Sequence, residues 1–127
     1  MLAIGSRIKN RLMIKKCLVI ISILLFSLFN AQQKGVASWY GNKHSGKKTA
    51  NGEIFNENNL TCASNTHKLG TKLKVTNLEN GKSVVVRVTD RGGFTKMGRV
   101  LDLSRGAFAQ IANVRKGVVK ILVEVID

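Results

Sequence analysis

Three acidic side chains lie where a protein scaffold usually presents chemistry rather than packing. Glu53 follows a run of turn-forming residues, Asp90 ends an apolar run, and Asp102 lies between apolar neighbours. Loops held by a rigid scaffold commonly carry catalytic residues. Carboxyl groups in different environments can cleave a glycosidic bond, because one stays protonated to donate to the leaving oxygen while another stabilises the developing charge. The three acids therefore indicate acid–base chemistry.

Each of these acids also has a structural alternative. Glu53 can be an exposed partner of a nearby lysine, and Asp90 can form an Asx turn or pair with Arg91. A buried Asp102 must accept hydrogen bonds or have a shifted pKa. Its structural alternative is to fix the position of the helix that follows it. Neighbouring Lys and Arg residues lower the pKa of a carboxyl group, whereas a proton donor needs a raised pKa. We therefore expect Glu53 to face Asp90 or Asp102 across one groove.

The elements that must position these acids are mostly short strands. Residues 72–76 alternate polar and apolar side chains, and Asn80-Gly81 predicts a tight turn that joins them to a strand over 83–88. Further strands are expected over 36–40, 60–63 and 117–126. Ser104 is placed to cap a short helix with Ala107, Phe108 and Ile111 on its apolar face. Closing such strands removes exposed edges, so we predict a mainly β fold, a small closed barrel with one or two short helices.

Residues 1–31 are predicted to be a signal peptide. Two lysines precede an apolar run of 13 residues, Cys17–Phe29. This run is shorter than the roughly 18 residues that a membrane span needs. We expect cleavage after Ala31, and an uncleaved anchor is the alternative, in which case this segment would be the only contact with a membrane.

Two details of this segment affect its interpretation. Met13 begins a complete basic region of a signal peptide, so residues 1–12 can be a mis-annotated start. Cys17 opens the apolar run instead of closing it. A lipid anchor on this cysteine is therefore not expected, and we predict a periplasmic or secreted protein.

The remaining residues, 32–127, suffice for one domain with a strong positive charge. Of 21 Lys and Arg, five precede residue 32, so this part holds 16 bases against 7 acids, a net charge of +9. Such a surface favours anionic polymers, and export argues for the carboxylate-bearing glycan of a bacterial wall rather than for nucleic acid. The single cysteine of this part, Cys62, is expected to be buried without a disulfide. We expect a monomer with no metal or cofactor.

Four segments occur in one order along the chain. They are Gly35–Gly41 (GVASWYG), Thr49–Glu53 (TANGE), Val88–Phe94 (VTDRGGF) and Gly98–Ser104 (GRVLDLS). Together they resemble the rare lipoprotein A (RlpA-like) family of bacterial cell-wall enzymes. The resemblance implies a six-stranded double-psi β-barrel and an endolytic lytic transglycosylase, which cleaves peptidoglycan glycan strands and leaves 1,6-anhydromuramic ends. It also implies a role in wall remodelling and a preference for strands without stem peptides.

The resemblance assigns roles to particular residues. Glu53 corresponds to the presumed catalytic glutamate, Asp90 to an aspartate at the substrate groove, and Asp102 to the aspartate of an Asp-Leu-Ser motif. These three are the predicted catalytic residues, with Glu53 as acid/base and Asp90 orienting it. The predicted substrate-binding residues are Tyr40, Asn51, Ser64, Arg91 and Arg99. The tyrosine ring can stack on a pyranose, and the polar groups can bind hydroxyl or lactyl carboxylate groups.

Ser64 marks a departure from the family pattern. Relatives usually have a histidine at this position, and that histidine is thought to assist catalysis. Serine can donate a hydrogen bond but cannot relay a proton at neutral pH, and His67 lies three residues further on. This departure favours an alternative function, a non-catalytic module that binds wall polysaccharide as expansins do.

Overall fold

The computed structural model describes residues 2–30 and 32–127, without the side chains of 2–6, 23–30 and 42. It divides into two units, Met1–Ala31 and Gln32–Asp127. Helix α1 spans Leu2–Asn30 in the first unit. Within the described residues, no helix is both long and apolar enough to cross a membrane. The predicted cleavage after Ala31 involves a residue outside the described part, so the signal peptide stays a prediction.

The second unit is a closed barrel of six strands. They are β1 (Gln32–Tyr40), β2 (Thr61–Ala63), β3 (Lys72–Asn77), β4 (Ser83–Asp90), β5 (Leu101–Ser104) and β6 (Val118–Val125). Their order around the barrel is β1-β5-β2-β4-β3-β6, and β6 pairs with β1 to close it. The pairs β1–β5 and β2–β4 are parallel, and the other pairs are antiparallel. Closure leaves no unpaired edge, and the predicted mainly β barrel is confirmed.

The β3–β4 hairpin confirms the strongest local prediction. Lys74 pairs with Val85 in antiparallel register. Gly81 has a φ of +75°, in the left-handed region that a tight turn requires and that glycine adopts without strain. Alternate side chains of both strands, such as Leu73 and Val86, are buried in the core.

The second helix, α2, spans Arg105–Ile111 and begins where the sequence predicts it. Ser104 ends β5, and its Oγ accepts the Ala107 N–H at 3.2 Å as an N-cap. Ala107, Phe108 and Ile111 are fully buried, and α2 packs on β4 and β5. The cap therefore joins the strand that carries Asp102 directly to the helix that covers the core.

Two strands differ from the sequence-based expectation. β1 begins at Gln32 rather than near residue 36, because its first half pairs with β6 through contacts such as Gln32 with Glu124. β5 has only four residues, too few for a periodicity argument, and forms because it lies between β1 and β2. Cys62 is fully buried as predicted, and burial raises the pKa of its thiol to about 12.

Candidate functional site

A lateral row of paired residues positions two of the predicted acids. Ser38 on β1 pairs with Asp102 on β5, which also pairs with Ala63 on β2. Ala63 pairs in turn with Asp90 on β4, next to a register shift in β2. Neighbouring strands are about 4.8 Å apart, so the Cα atoms of the two aspartates, two strands apart, are separated by roughly 10 Å. The small alanine lies between them and leaves space above it.

That space is a cavity of about 410 Å³, which we call the aspartate cavity. Its polar and aromatic lining includes Tyr40, His44, Asp90, Arg91, Arg99 and Asp102. Five of these six are sequence-predicted site residues. The structure therefore brings together Asp90 and Asp102 with three of the predicted substrate-binding side chains.

Asp102 is the half-buried acid of this cavity. Burial raises the pKa of Asp102 above its usual value, and a hydrogen bond from Ser38 together with the charges of Arg99 and His44 opposes only part of that rise. Ser38 Oγ donates to Asp102 Oδ1 at 2.7 Å, and the Arg99 guanidinium donates to the same hydroxyl. Asp102 therefore keeps its proton to a higher pH than an exposed aspartate, as a general acid requires.

Asp90, at the end of β4, is hydrogen-bonded to the loop that carries Glu53. Its Oδ1 accepts the N–H of Ala50 at 3.0 Å and of Arg91 at 2.9 Å. The Asn51 N–H also donates to the carbonyl of Thr89 at 3.1 Å. Asp90 is thus held by backbone N–H groups, but that of Gly92, which an Asx turn would use, donates to Asn65 instead. The same side chain lines the aspartate cavity.

Glu53, which the sequence predicts to face Asp90 or Asp102 across one groove, is not among the residues that line the aspartate cavity. Its carboxylate pairs with Arg87, with Nη1–Oε1 at 2.5 Å and Nη2–Oε2 at 2.9 Å. The Arg87 hydrogen bond holds the pKa of Glu53 below its usual value, so this acid is ionised near neutral pH. Asn51 also stays within the loop, where its Oδ1 accepts the Glu53 N–H at 3.1 Å.

Ser64 does not reach the cavity either. It is 0% exposed, and its Oγ accepts the N–H groups of Thr66 and His67 at 3.2 and 3.1 Å. This hydroxyl is thus enclosed in its own turn and has no exposed surface, and its predicted role in substrate binding stays a prediction. Arg91 holds the same turn, because its Nη1 donates to the carbonyls of Ser64 and His67 at 2.5 and 2.6 Å.

A second cavity, of about 610 Å³, adjoins the first, and we call it the tryptophan cavity. Tyr40 and His44 line both cavities, and the lining of the second is completed by Trp39, Gly41, Lys43, Glu57 and Arg105. The Tyr40 ring stacks on Phe55 at 4.6 Å between centroids and meets His44 edge-on at 5.5 Å. Burial is the main cause that raises the pKa of Tyr40, so its hydroxyl remains a donor.

Sequence reasoning missed the position of His44. This histidine lies in a polar loop, which favours a plain surface residue, and it is indeed exposed. A one-turn 3-10 helix, Asn42–His44, nevertheless places it on the wall between the two cavities, where its charge acts on Asp102. No local pattern signals this placement, because it depends on how the loop after β1 folds over β5.

The arrangement can perform acid–base chemistry. Asp102 has a raised pKa and Glu53 a lowered one, which is the separation that assigns an acid and a base. In the part of the chain that the structure describes, no group of three or more His, Cys, Asp or Glu side chains could hold a metal ion.

Comparison with known proteins agrees with this geometry. A family model described as lytic transglycolase matches residues 32–123, which is most of the chain. The chain belongs to the lytic transglycolase family. It is 53% identical over 93 residues to a probable endolytic peptidoglycan transglycosylase RlpA of Synechocystis sp., covering 73% of this chain and 29% of the relative. It is 51% identical over 92 residues to the endolytic peptidoglycan transglycosylase RlpA of Campylobacter jejuni, covering 72% of this chain and 33% of the relative.

The resemblance to RlpA-like proteins is therefore confirmed, and the chain spans about a third of the length of these curated relatives. Solved structures support the fold. A Streptomyces papain inhibitor matches with a TM-score of 0.62 and 24% identity, covering 76% of this chain and 94% of the other. A Clavibacter michiganensis expansin in complex with cellohexaose matches with a TM-score of 0.61 and 21% identity, covering 76% and 50%. At these identities the likeness shows only that this lytic transglycolase domain is a double-psi β-barrel.

Proposed function

We propose that this chain is an endolytic lytic transglycosylase that cleaves the glycan strands of peptidoglycan and leaves 1,6-anhydromuramic ends. The observation that carries the proposal is Asp102, an acid with a raised pKa in an open cavity beside Asp90. Relatives named for this activity share about half of the aligned residues. We further propose that the protein acts in wall remodelling, as a periplasmic or secreted monomer.

In the proposed reaction Asp102 donates its proton to the glycosidic oxygen as the bond between that oxygen and C1 breaks. Positive charge develops on the sugar ring, and the 6-hydroxyl of the same sugar attacks C1, so no water is consumed. The proton of that hydroxyl passes to a base. The products are a 1,6-anhydro end and a free hydroxyl on the leaving sugar. Asp102 has lost one proton and the base has gained one, so atoms and charge balance.

Glu53 is our candidate for the base. The ion pair with Arg87 keeps Glu53 ionised, which suits a proton acceptor rather than the donor role that the sequence suggested. Its carboxylate must leave Arg87 to reach a strand bound in the aspartate cavity. Catalytic contacts are often incomplete before substrate binds, so this geometry does not remove Glu53 as a candidate. Asp90 orients the loop, and Tyr40 lines the cavity.

One observation favours the alternative of a non-catalytic, expansin-like binding module. Ser64 replaces the family histidine, and the structure buries it away from the cavity. In that alternative the same cavities bind polysaccharide, and Asp102 serves as a hydrogen-bonding group only.

Product analysis of digested sacculi separates these functions. We expect the full chain to release fragments with anhydro ends and Asp102→Asn to lower the rate by at least about 100-fold, the usual contribution of a general acid. The matched control is Asp127→Asn, an exposed acid at the chain end. Reducing ends would indicate a hydrolase, and tight binding with neither product would establish the alternative.

A further inference from the structure

We propose that the tryptophan cavity is the subsite that recognises the carboxylate-bearing sugar of the glycan. This inference rests on the proposed function, because it assumes that a glycan strand occupies the adjoining aspartate cavity. The two cavities share Tyr40 and His44, so they lie side by side and one glycan strand can occupy both. A volume of about 610 Å³ is within the range of small-molecule sites.

The cations of the aspartate cavity are already engaged by the protein. Arg91 donates to two backbone carbonyls. Arg99 donates to Ser38 Oγ and also contacts the sulfur of Met97. These bonds hold both guanidinium groups against the cavity wall, although each group keeps its positive charge and Arg91 keeps further N–H donors.

The cations of the tryptophan cavity are available. Among the described side chains, ion pairs join Lys72 to Asp127, Arg87 to Glu53 and Lys116 to Glu79. Neither Lys43 nor Arg105 takes part in them, and both are exposed. The Arg105 guanidinium carbon lies 5.9 Å from the centroid of the Trp39 ring. That ring is held in turn by a hydrogen bond from its N–H to the carbonyl of Val114 at 2.9 Å.

Glu57 supplies an acceptor in the same cavity. Its Oε2 is buried and has no hydrogen-bond partner within the described part of the chain. The oxygen packs against Gly41, where a Cβ would lie only 2.7 Å from it. A buried polar atom without a partner is costly. Because Glu57 also lines the cavity, a small rotation of its side chain would let a ligand N–H or O–H reach this oxygen and remove that cost.

This set of groups matches one of the two alternating sugars of the wall glycan. A muramic acid residue presents a carboxylate for Lys43 and Arg105 and an acetamido N–H for Glu57. The alternating N-acetylglucosamine presents the acetamido group without the carboxylate. Because the sugars alternate, placing the muramic residue in this cavity determines which glycosidic linkage lies against Asp102.

The test measures binding by calorimetry with the full chain carrying Asp102→Asn, which keeps the shape of the site and stops cleavage. The probes are a peptide-free oligosaccharide of alternating muramic acid and N-acetylglucosamine, and an N-acetylglucosamine oligosaccharide of equal length. We expect the first to bind about three- to tenfold more tightly, as two partly exposed charge contacts allow. Adding Lys43→Gln and Arg105→Gln should bring the ratio of the two affinities close to one.

The control is Lys74→Gln with Lys82→Gln, which removes the same charge from exposed positions outside both cavities. The inference is overturned if the ratio of the two affinities is unchanged in the Lys43/Arg105 variant. It is also overturned if the control lowers this ratio equally. In both cases glycan binding itself remains supported. Failure of every form to bind either probe overturns the proposed function with it. Glu57→Ala should weaken both probes equally, and melting curves establish that each variant folds.

Discussion

Burial in the barrel raises the pKa of Asp102, and the hydrogen bond from Ser38 offsets part of that rise. The two residues are direct partners in the β1–β5 pairing. A hydroxyl that donates to a carboxylate favours its ionised form, so the hydrogen bond works against burial. In the proposed reaction, the pH range over which Asp102 can donate a proton therefore depends on Ser38.

Ser38→Ala should move the alkaline limb of the pH–rate profile upward. Removing the hydrogen bond raises the pKa of Asp102 further, and a general acid loses activity as pH rises through its pKa. We expect a displacement of about one pH unit, the size of one hydrogen bond to a charged group. The profile of anhydro-product release measures it, with Ser83→Ala as control. A downward shift would show that Arg99 has become the direct partner of Asp102.

Glu53 and Arg87 give an opposite prediction for the acidic limb. A base must be ionised, so its activity is lost as pH falls through its pKa, which Arg87 holds low. Arg87→Gln should move that limb to higher pH with a modest rate loss, whereas Glu53→Gln should lose about 100-fold at every pH. Lys116→Gln, which breaks the ion pair with Glu79, is the matched control. If both variants lose little activity, to the same extent and without a shift of the acidic limb, Glu53 is only a surface partner of Arg87.

At the scale of elements, α2 links the two cavities. Ser104 caps it just after the strand that carries Asp102, and Arg105, its first residue, lines the tryptophan cavity. The Gly106 N–H donates to the Glu57 carbonyl at 2.8 Å, so the helix also holds the turn that carries the buried Glu57 oxygen. The start of this short helix therefore positions groups of both sites.

Gly106→Ala tests that contact. In an ordinary helix the change would stabilise by about 1 kcal/mol. Here the new Cβ would lie 2.8 Å from the backbone oxygen of Asn58, which cannot move as a flexible side chain can. We expect net destabilisation of about 2 kcal/mol in denaturant unfolding, the usual cost of overpacking. Gln110→Ala, an exposed helix position, should stay within about 0.5 kcal/mol. An increase in stability would show that the turn at Asn58 moves to accommodate the new methyl group.

At the scale of the whole molecule, barrel order decides which residues meet. The strands that carry Ser38, Asp102, Ala63 and Asp90 are β1, β5, β2 and β4, neighbours in the barrel but far apart along the chain. A net charge of +9 over residues 32–127 surrounds this site and favours approach of an anionic wall polymer. The site thus combines an acid of raised pKa with a positively charged surface.

The amino-acid sequence alone determined the local features. The β3–β4 hairpin, the Ser104 cap, the buried face of α2 and the burial of Cys62 all follow from patterns within a few residues. The order of four short segments also identified the family. These features could be predicted because turn, cap and alternation preferences act between close neighbours in the chain.

Only the tertiary structure decided how the acids are used. Asp102 meets Ser38 64 residues away, and Glu53 meets Arg87 34 residues away, so neither partner lies within a local pattern. Burial then raises the pKa of one acid while an arginine lowers the pKa of the other. The same long-range pairing buried Ser64 and placed His44 on the cavity wall, because strand order sets which loops fold over which strand ends.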